Sequence, residues 1–340
     1  EMLATTYFRL KQKALPIASR ALFSGLAAIA LNYYFIAVLK KGYMGWITSD
    51  FIVGCISGSL FLIPVLFTWK FTPIFNFKRR LLKRSLKVSL PVIPHYYATY
   101  LLKTSDRVVM ERFHIPTNEI GRYSLAYNFG GYIETVSNAV NQAVGPNLLE
   151  LIRDNKWSEY GKVIFVFQSF VISMCFTLSL WIPQWLPLLI RNKELLDINF
   201  LLVIIIMSYS YRPMYIGCNQ VVFYFEKTKI LWRITFIAGL LNVLLNIVLV
   251  PMYGISAAAV TTFLALMYMG FTGFFFQHYK LHNKASLYPI FWFIIIIATT
   301  PLLLYIINFS IIEKIIINVA FLGLLLILLL NKIEILKTKR

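Results

Sequence analysis

Apolar residues in this chain gather in long blocks separated by short polar segments. Blocks long enough to cross about 30 Å of hydrocarbon at about 1.5 Å per residue fall near 21–39, 49–69, 88–110, 123–149, 161–183, 198–225, 229–250, 256–276, 287–308 and 314–331. The pattern predicts an all-α, polytopic transmembrane bundle of about ten spans.

Composition strengthens that expectation. Of 340 residues, 59% are hydrophobic and only 14% charged, whereas a soluble domain carries about a quarter charged residues. Mean hydropathy is +0.71, so lipid is the solvent for most of the chain and a water-soluble fold is excluded. The formal net charge of +19 does not indicate nucleic acid, because Lys and Arg sit in short runs between apolar blocks. Cys55, Cys175 and Cys218 lack paired spacing and read as packing residues rather than as a disulfide framework or metal site. No cleavable signal is visible at the start, and the chain reads as cut from a longer one.

Threading the spans alternately places 1–20, 70–87, 150–160, 226–229, 277–286 and 332–340 on one side. That side holds most of the loop cations, from Arg9, Lys11 and Lys13 through Lys70, Lys78, Arg79, Arg80, Lys83, Arg84 and Lys87 to Lys337, Lys339 and Arg340. The positive-inside rule makes it cytoplasmic, with both ends of the chain there. Phe77 to Lys87 is basic at nearly every polar position, as either a solvated connector or an amphipathic helix on an anionic leaflet would be. It divides the chain into 1–87, 88–276 and, after the later spans, a C-terminal pair within 277–340. A weak internal echo relates Leu31, Asn32, Gly42 and Gly45 to Leu241, Asn242 and Gly254, as parallel repeats would.

The chemistry is inside the spans. In 123–149, polar or small residues fall at Tyr123, Tyr127, Gly131, Glu134, Asn138, Gln142 and Gly145, drawing one stripe down a helix. A carboxylate facing acyl chains is costly, so this stripe should face a bundle interior or wet cavity. Asn138 and Gln142 suit either interhelical hydrogen bonding or substrate contact. The preceding span carries Lys103 and Arg107 one turn apart, with Asp106 placed to pair with either. This group is either snorkelling cations or a cationic lining with its counter-ion. Arg212 sits mid-span before Pro213, with Tyr215 and Asn219 following, and is expected to face a central cavity. Asn242 and Asn246 put two amides on one face, ahead of Pro251 and Gly254. Pro91, Pro94, Pro183 and Pro187 are points where helices can bend. His278 and His282 share a one-turn spacing but lie in a basic loop without an acidic partner, which reads as a solvated face.

Several segments together resemble the Wzx-type polysaccharide or O-antigen flippases, in the superfamily that also holds the multidrug and toxin extrusion transporters. They are Leu90-Pro91-Val92-Ile93-Pro94-His95, Ser105-Asp106-Arg107-Val108-Val109, Glu119-Ile120-Gly121-Arg122-Tyr123-Ser124-Leu125-Ala126-Tyr127, and Asn242 to Asn246 leading into Pro251-Met252-Tyr253-Gly254-Ile255-Ser256-Ala257-Ala258-Ala259. The resemblance implies a two-lobed exporter bundle whose first lobe is incomplete here: 21–69 correspond to its fifth and sixth helices, 88–276 to the second lobe and 287–331 to an additional pair. It implies a substrate too, an undecaprenyl-diphosphate-linked oligosaccharide moved from the inner to the outer leaflet of the bacterial cytoplasmic membrane, with association with polysaccharide polymerase machinery. No cofactor is implied.

Given that substrate, Lys103, Arg107 and Arg212 are placed to neutralise diphosphate, and Tyr123, Tyr127, Asn138, Gln142 and Asn219 to contact it or its sugars. Glu134 or Asp106 would couple H⁺ or Na⁺ counter-transport. A drug or cation antiporter of the same architecture would carry a more acidic lumen. A membrane-embedded polysaccharide polymerase would expose a large outer loop with acid and base groups, where the outer connections here are short.

Overall fold

In the computed structural model the described residues are 8, 15–63, 67, 78–90, 93–192, 195–227 and 229–337. Arg9, Lys11, Lys13, Lys70, Phe77, Pro91, Lys193, Lys339 and Arg340 lie outside them, as do the side chains of Lys87, His95, Lys229, His278, Lys332 and Lys337. The architecture is all-helical, with no strand among the described residues.

Among the described residues, seven helices are long and apolar enough to cross a membrane: Ala18–Val38, Gly42–Ile63, Trp157–Leu180, Asn199–Tyr224, Leu231–Phe275, Pro289–Ile306 and Ile311–Asn331. That is fewer than the ten windows read from sequence, for two physical reasons. The 45-residue element Leu231–Phe275 is broken at Gly254, whose φ of 61° and ψ of −144° are not helical. Helices Ile93–Arg112 and Thr117–Arg153 are long enough, but the charged and amide residues they carry interrupt the apolar run.

The chain divides into two compact units, Glu1–Arg79 and Arg80–Arg340, a division inside the basic stretch noted above. In the first, helix Leu15–Asn32 runs into a π-helical turn, Tyr33–Val38, and then helix Gly42–Ile63. Gly42 turns the chain with φ of 56°, a region glycine enters without a Cβ penalty. Arg20 ties the two helices by donating to the Leu60 carbonyl at 3.1 Å while its guanidinium lies 5.6 Å from the Phe61 ring. Gly42, at the start of helix Gly42–Ile63, and Gly254, within Lys229–Phe271, both have positive φ, 56° and 61°.

Helix Asn199–Ser208 is the centre of the second unit. It is apolar all round, and every residue from Leu201 to Ser208 is buried, as expected of a helix with no polar face. Around it pack Thr117–Arg153, Trp157–Leu180, Lys229–Phe271 and Pro289–Ile306. The C-terminal helix Ile311–Lys337 lies along Trp157–Leu180, where the Phe176 and Phe321 rings stack at 3.9 Å and Thr177 donates to Asn318 at 3.0 Å.

Helix Asn199–Ser208 passes into a 3-10 turn, Tyr209–Tyr211, before Arg212–Tyr224 resumes. Pro213 has no N–H to give the preceding turn, so the helix must restart there, and it sits in the first turn of the new helix. Gln168 donates to the Ser210 carbonyl at 2.9 Å, satisfying backbone at the break from a neighbouring helix. The restart sets the direction of Arg212.

Candidate functional site

Glu134, Lys103 and Arg212 come from three different helices and meet at one carboxylate. Lys103 Nζ donates to both Glu134 oxygens, at 2.6 and 2.8 Å. Arg212 Nη2 stands 3.4 Å from Glu134 Oε1 and donates to Asn138 Oδ1, one turn further along the same helix as Glu134. Arg212 Nη1 donates to the Tyr211 hydroxyl at 3.3 Å. Side-chain exposure falls from 40% at Lys103 to 15% at Glu134 and 11% at Arg212, so the group opens at its lysine end. One negative charge faces two positive ones, and the excess positive charge is what an anionic ligand would find.

Gly130 lets the helices approach this closely. A Cβ there would collide with the Tyr209 ring, and Tyr127 and Tyr209 pack edge to face at 6.3 Å. Gly130, not Gly131, is the residue at the contact, because it lies on the packed side of the turn.

A second polar cluster surrounds Asp106, which is fully buried. Its carboxylate accepts from the Tyr123 hydroxyl at 2.5 Å, the Thr262 hydroxyl at 2.9 Å and the Asn246 amide at 2.6 Å. Thr261 donates to Asn246 at 2.5 Å, and Ser105 to Asn242 at 3.2 Å. The break at Gly254 folds Lys229–Phe271 back on itself, which is why Asn242 and Asn246 on its first half meet Thr261 and Thr262 on its second.

The expected pairing of Asp106 with Lys103 or Arg107 does not form. Asp106 points into the helix pair of Lys229–Phe271, whereas Lys103, three residues earlier, points to Glu134. Arg107 donates to Ser124 at 3.0 Å and to the Lys103 carbonyl at 2.8 Å, and its guanidinium lies 4.7 Å from the Tyr127 ring. No carboxylate pairs with Arg107 among the described residues. It also lines a surface pocket of about 540 Å³ with Glu111, His114 and Thr117.

The remaining residues singled out from the sequence spread more widely. Tyr123 is fully buried with its hydroxyl committed to Asp106, and Tyr127 is nearly so, which places both inside the protein and away from a surface a sugar reaches. Gln142 is exposed, and Asn141 takes the place expected of it, accepting from Gln220 at 3.2 Å. At 3.6 residues per turn, two steps of four from Glu134 overshoot the stripe by about 80°, while Asn141 stays within about 20° of it. Asn219 lies on the same helix as Arg212, and its Oδ1 is buried without a donor among the described residues.

Thr261, Thr262 and Gln220 were not singled out, because single hydroxyls and amides in apolar runs carry no periodic signal. Tyr96, Tyr97 and Tyr100 were not singled out either. They are 71%, 68% and 64% exposed on the helix of Lys103, and the step from Tyr96 to Tyr100, Lys103 and Arg107 is a signal that could have found the first and last of them.

Comparison with known proteins bears on this arrangement. Residues 2–151 match the family model described as polysaccharide biosynthesis protein. No curated protein matches the chain. Among solved structures, the lipid II flippase MurJ in an inward closed conformation is similar with a TM-score of 0.63 at 16% identity, over 93% of this chain and 67% of that one. The chain shares that structure's helical fold, and over residues 2–151 it is similar to the polysaccharide biosynthesis proteins.

Proposed function

We propose that this multi-pass membrane protein, similar to polysaccharide biosynthesis proteins over residues 2–151 and sharing the fold of a lipid II flippase, translocates an undecaprenyl-diphosphate-linked oligosaccharide across the bacterial cytoplasmic membrane. It acts as a transporter and not as an enzyme, moving the repeat unit from the inner to the outer leaflet for O-antigen or capsule synthesis. Both ends of the chain lie on the cytoplasmic side, where the basic loops fall.

The observation that carries this reading is the convergence of Lys103 and Arg212 on one carboxylate within a lipid-facing bundle, open at the lysine end. A diphosphate offers more charge and more acceptor oxygens than a carboxylate, and guanidinium and ammonium groups on separate helices can hold it from two sides. The exposed tyrosines at 96, 97 and 100 adjoin Lys103 along its helix and would stack against sugar rings. A drug-cation antiporter needs a carboxylate that a cation can reach, and Glu134 is already held by two cations.

Alternating access would let the helices carrying these groups part and re-form on either side. Of the two acidic groups, Asp106 is assigned to ion coupling, since its carboxylate is held by the hydroxyls of Tyr123 and Thr262 and the amide of Asn246 rather than by fixed cations. A Na⁺ would take such oxygens, and a proton would take the carboxylate itself.

The test is leaflet-specific labelling of lipid-linked sugar in vesicles with and without the full-length protein. Outer-leaflet labelling that rises with the protein, and falls back in Arg212→Ala, is the expected result. Equal labelling with and without protein would overturn the assignment.

A further inference from the structure

A carboxylate shared by two cations from different helices is a tie that an arriving anion can take apart. Glu134, on Thr117–Arg153, is gripped through both oxygens by Lys103 of Ile93–Arg112 and approached at 3.4 Å by Arg212 of Arg212–Tyr224. Lys103 is 40% exposed while the arginine behind it is 11% exposed, so a ligand meets the lysine first and the guanidinium last. Arg212 Nε is buried with no acceptor among the described residues. The carboxylate, Asn138 and Tyr211 engage the two terminal nitrogens of the guanidinium and leave the Nε proton over. A tetrahedral, multiply charged phosphate has acceptor oxygens enough to engage both cations together with the Nε proton.

We propose that Glu134 is a displaceable internal counter-anion: in the free protein it occupies the place that a phosphate of the substrate takes, and binding releases it. This deepens the diphosphate reading above and rests on it. Release of Glu134 unties three helices at once, which links occupancy of the site to freedom of Ile93–Arg112, Thr117–Arg153 and Arg212–Tyr224 to move. It also sets a threshold of selectivity. A neutral sugar or a monoanion cannot outcompete a carboxylate already bound through two oxygens, whereas a diphosphate can, so the tie works against the wrong ligand as well as for the right one.

The experiment titrates the purified full chain in nanodiscs with inorganic pyrophosphate, and separately with acetate, at constant ionic strength, by calorimetry. Wild type is expected to bind pyrophosphate and to ignore acetate. Glu134→Gln leaves two cations without their anion and should bind pyrophosphate about tenfold tighter and begin to bind acetate. Glu134→Asp, too short to reach both cations, should gain about threefold and serves in place of the glutamine variant should that one fail to fold. Unchanged or weakened pyrophosphate binding in these variants, with wild-type binding still lost in Arg212→Ala, would overturn the displaced counter-anion and leave the diphosphate site standing. Wild-type pyrophosphate binding that does not depend on Arg212, or no binding in any variant, would overturn both.

Discussion

The two carboxylates at the heart of the larger unit lie on adjacent helices and live in opposite surroundings. Glu134 faces two cations and stays 15% exposed, in a group open at Lys103. Asp106 has no exposure, and neutral hydroxyl and amide donors satisfy it. The contrast teaches that charge inside a membrane bundle can be managed in two ways. Fixed opposite charges leave a site that an ion or charged ligand can enter by exchange. Neutral donors leave a closed one, which a coupling ion reaches only when the helices part and whose removal is felt as lost structure.

Substitutions should separate the two in order of effect. Asp106→Ala strands three buried donors, and the expected loss is about 4 kcal/mol of stability, read as a lower thermal midpoint of the purified chain; Asp106→Asn, which keeps an acceptor, should lose about half of that. Unaltered stability in Asp106→Ala would show that the cluster does not hold the helices together. Arg212→Ala should insert normally yet reduce translocation of lipid-linked sugar by about a hundredfold, since a buried, charge-assisted contact is removed from the ligand's path. Full transport in that variant would retire Arg212 from the mechanism.

Lys103→Ala should cost about tenfold in transport but less than about 1 kcal/mol in stability, because its ion pair is partly in solvent; a stability loss as large as that of Asp106→Ala would mean the two sites are equally sealed. The smallest effects test the rotation of helix Thr117–Arg153. Asn141→Ala, which loses the contact with Gln220, should cost about 1 kcal/mol, and Gln142→Ala less than about 0.5 kcal/mol. The reverse order, measured by thermal unfolding, would place the stripe about one residue round the helix.

Legibility varied with the range of the interaction. Glu134, Asn138 and Arg212 could be read as polar positions in otherwise apolar spans, and the structure brings those three together with Lys103. Pro213 was legible as a residue with no N–H to give the preceding turn, although the 3-10 turn before it, Tyr209–Tyr211, was not. The partners of Asp106 were not legible. Thr262 and Asn246 are 156 and 140 residues away in the chain, and nothing in a one-dimensional pattern relates them. That Asn141 and not Gln142 makes the contact with Gln220 has another reason, since small errors in helical phase accumulate over successive turns.

Sequence alone determined that lipid is the solvent, that the elements are helices, and which of them carry polar groups too costly to face acyl chains. Those are properties of composition and of a fixed helical rise, and both are local. Only the tertiary structure decided which polar groups meet, giving Lys103 to Glu134 and leaving Asp106 to Tyr123, Thr262 and Asn246. That choice depends on how each helix is rotated against its neighbours, and close packing across many residues sets the rotation.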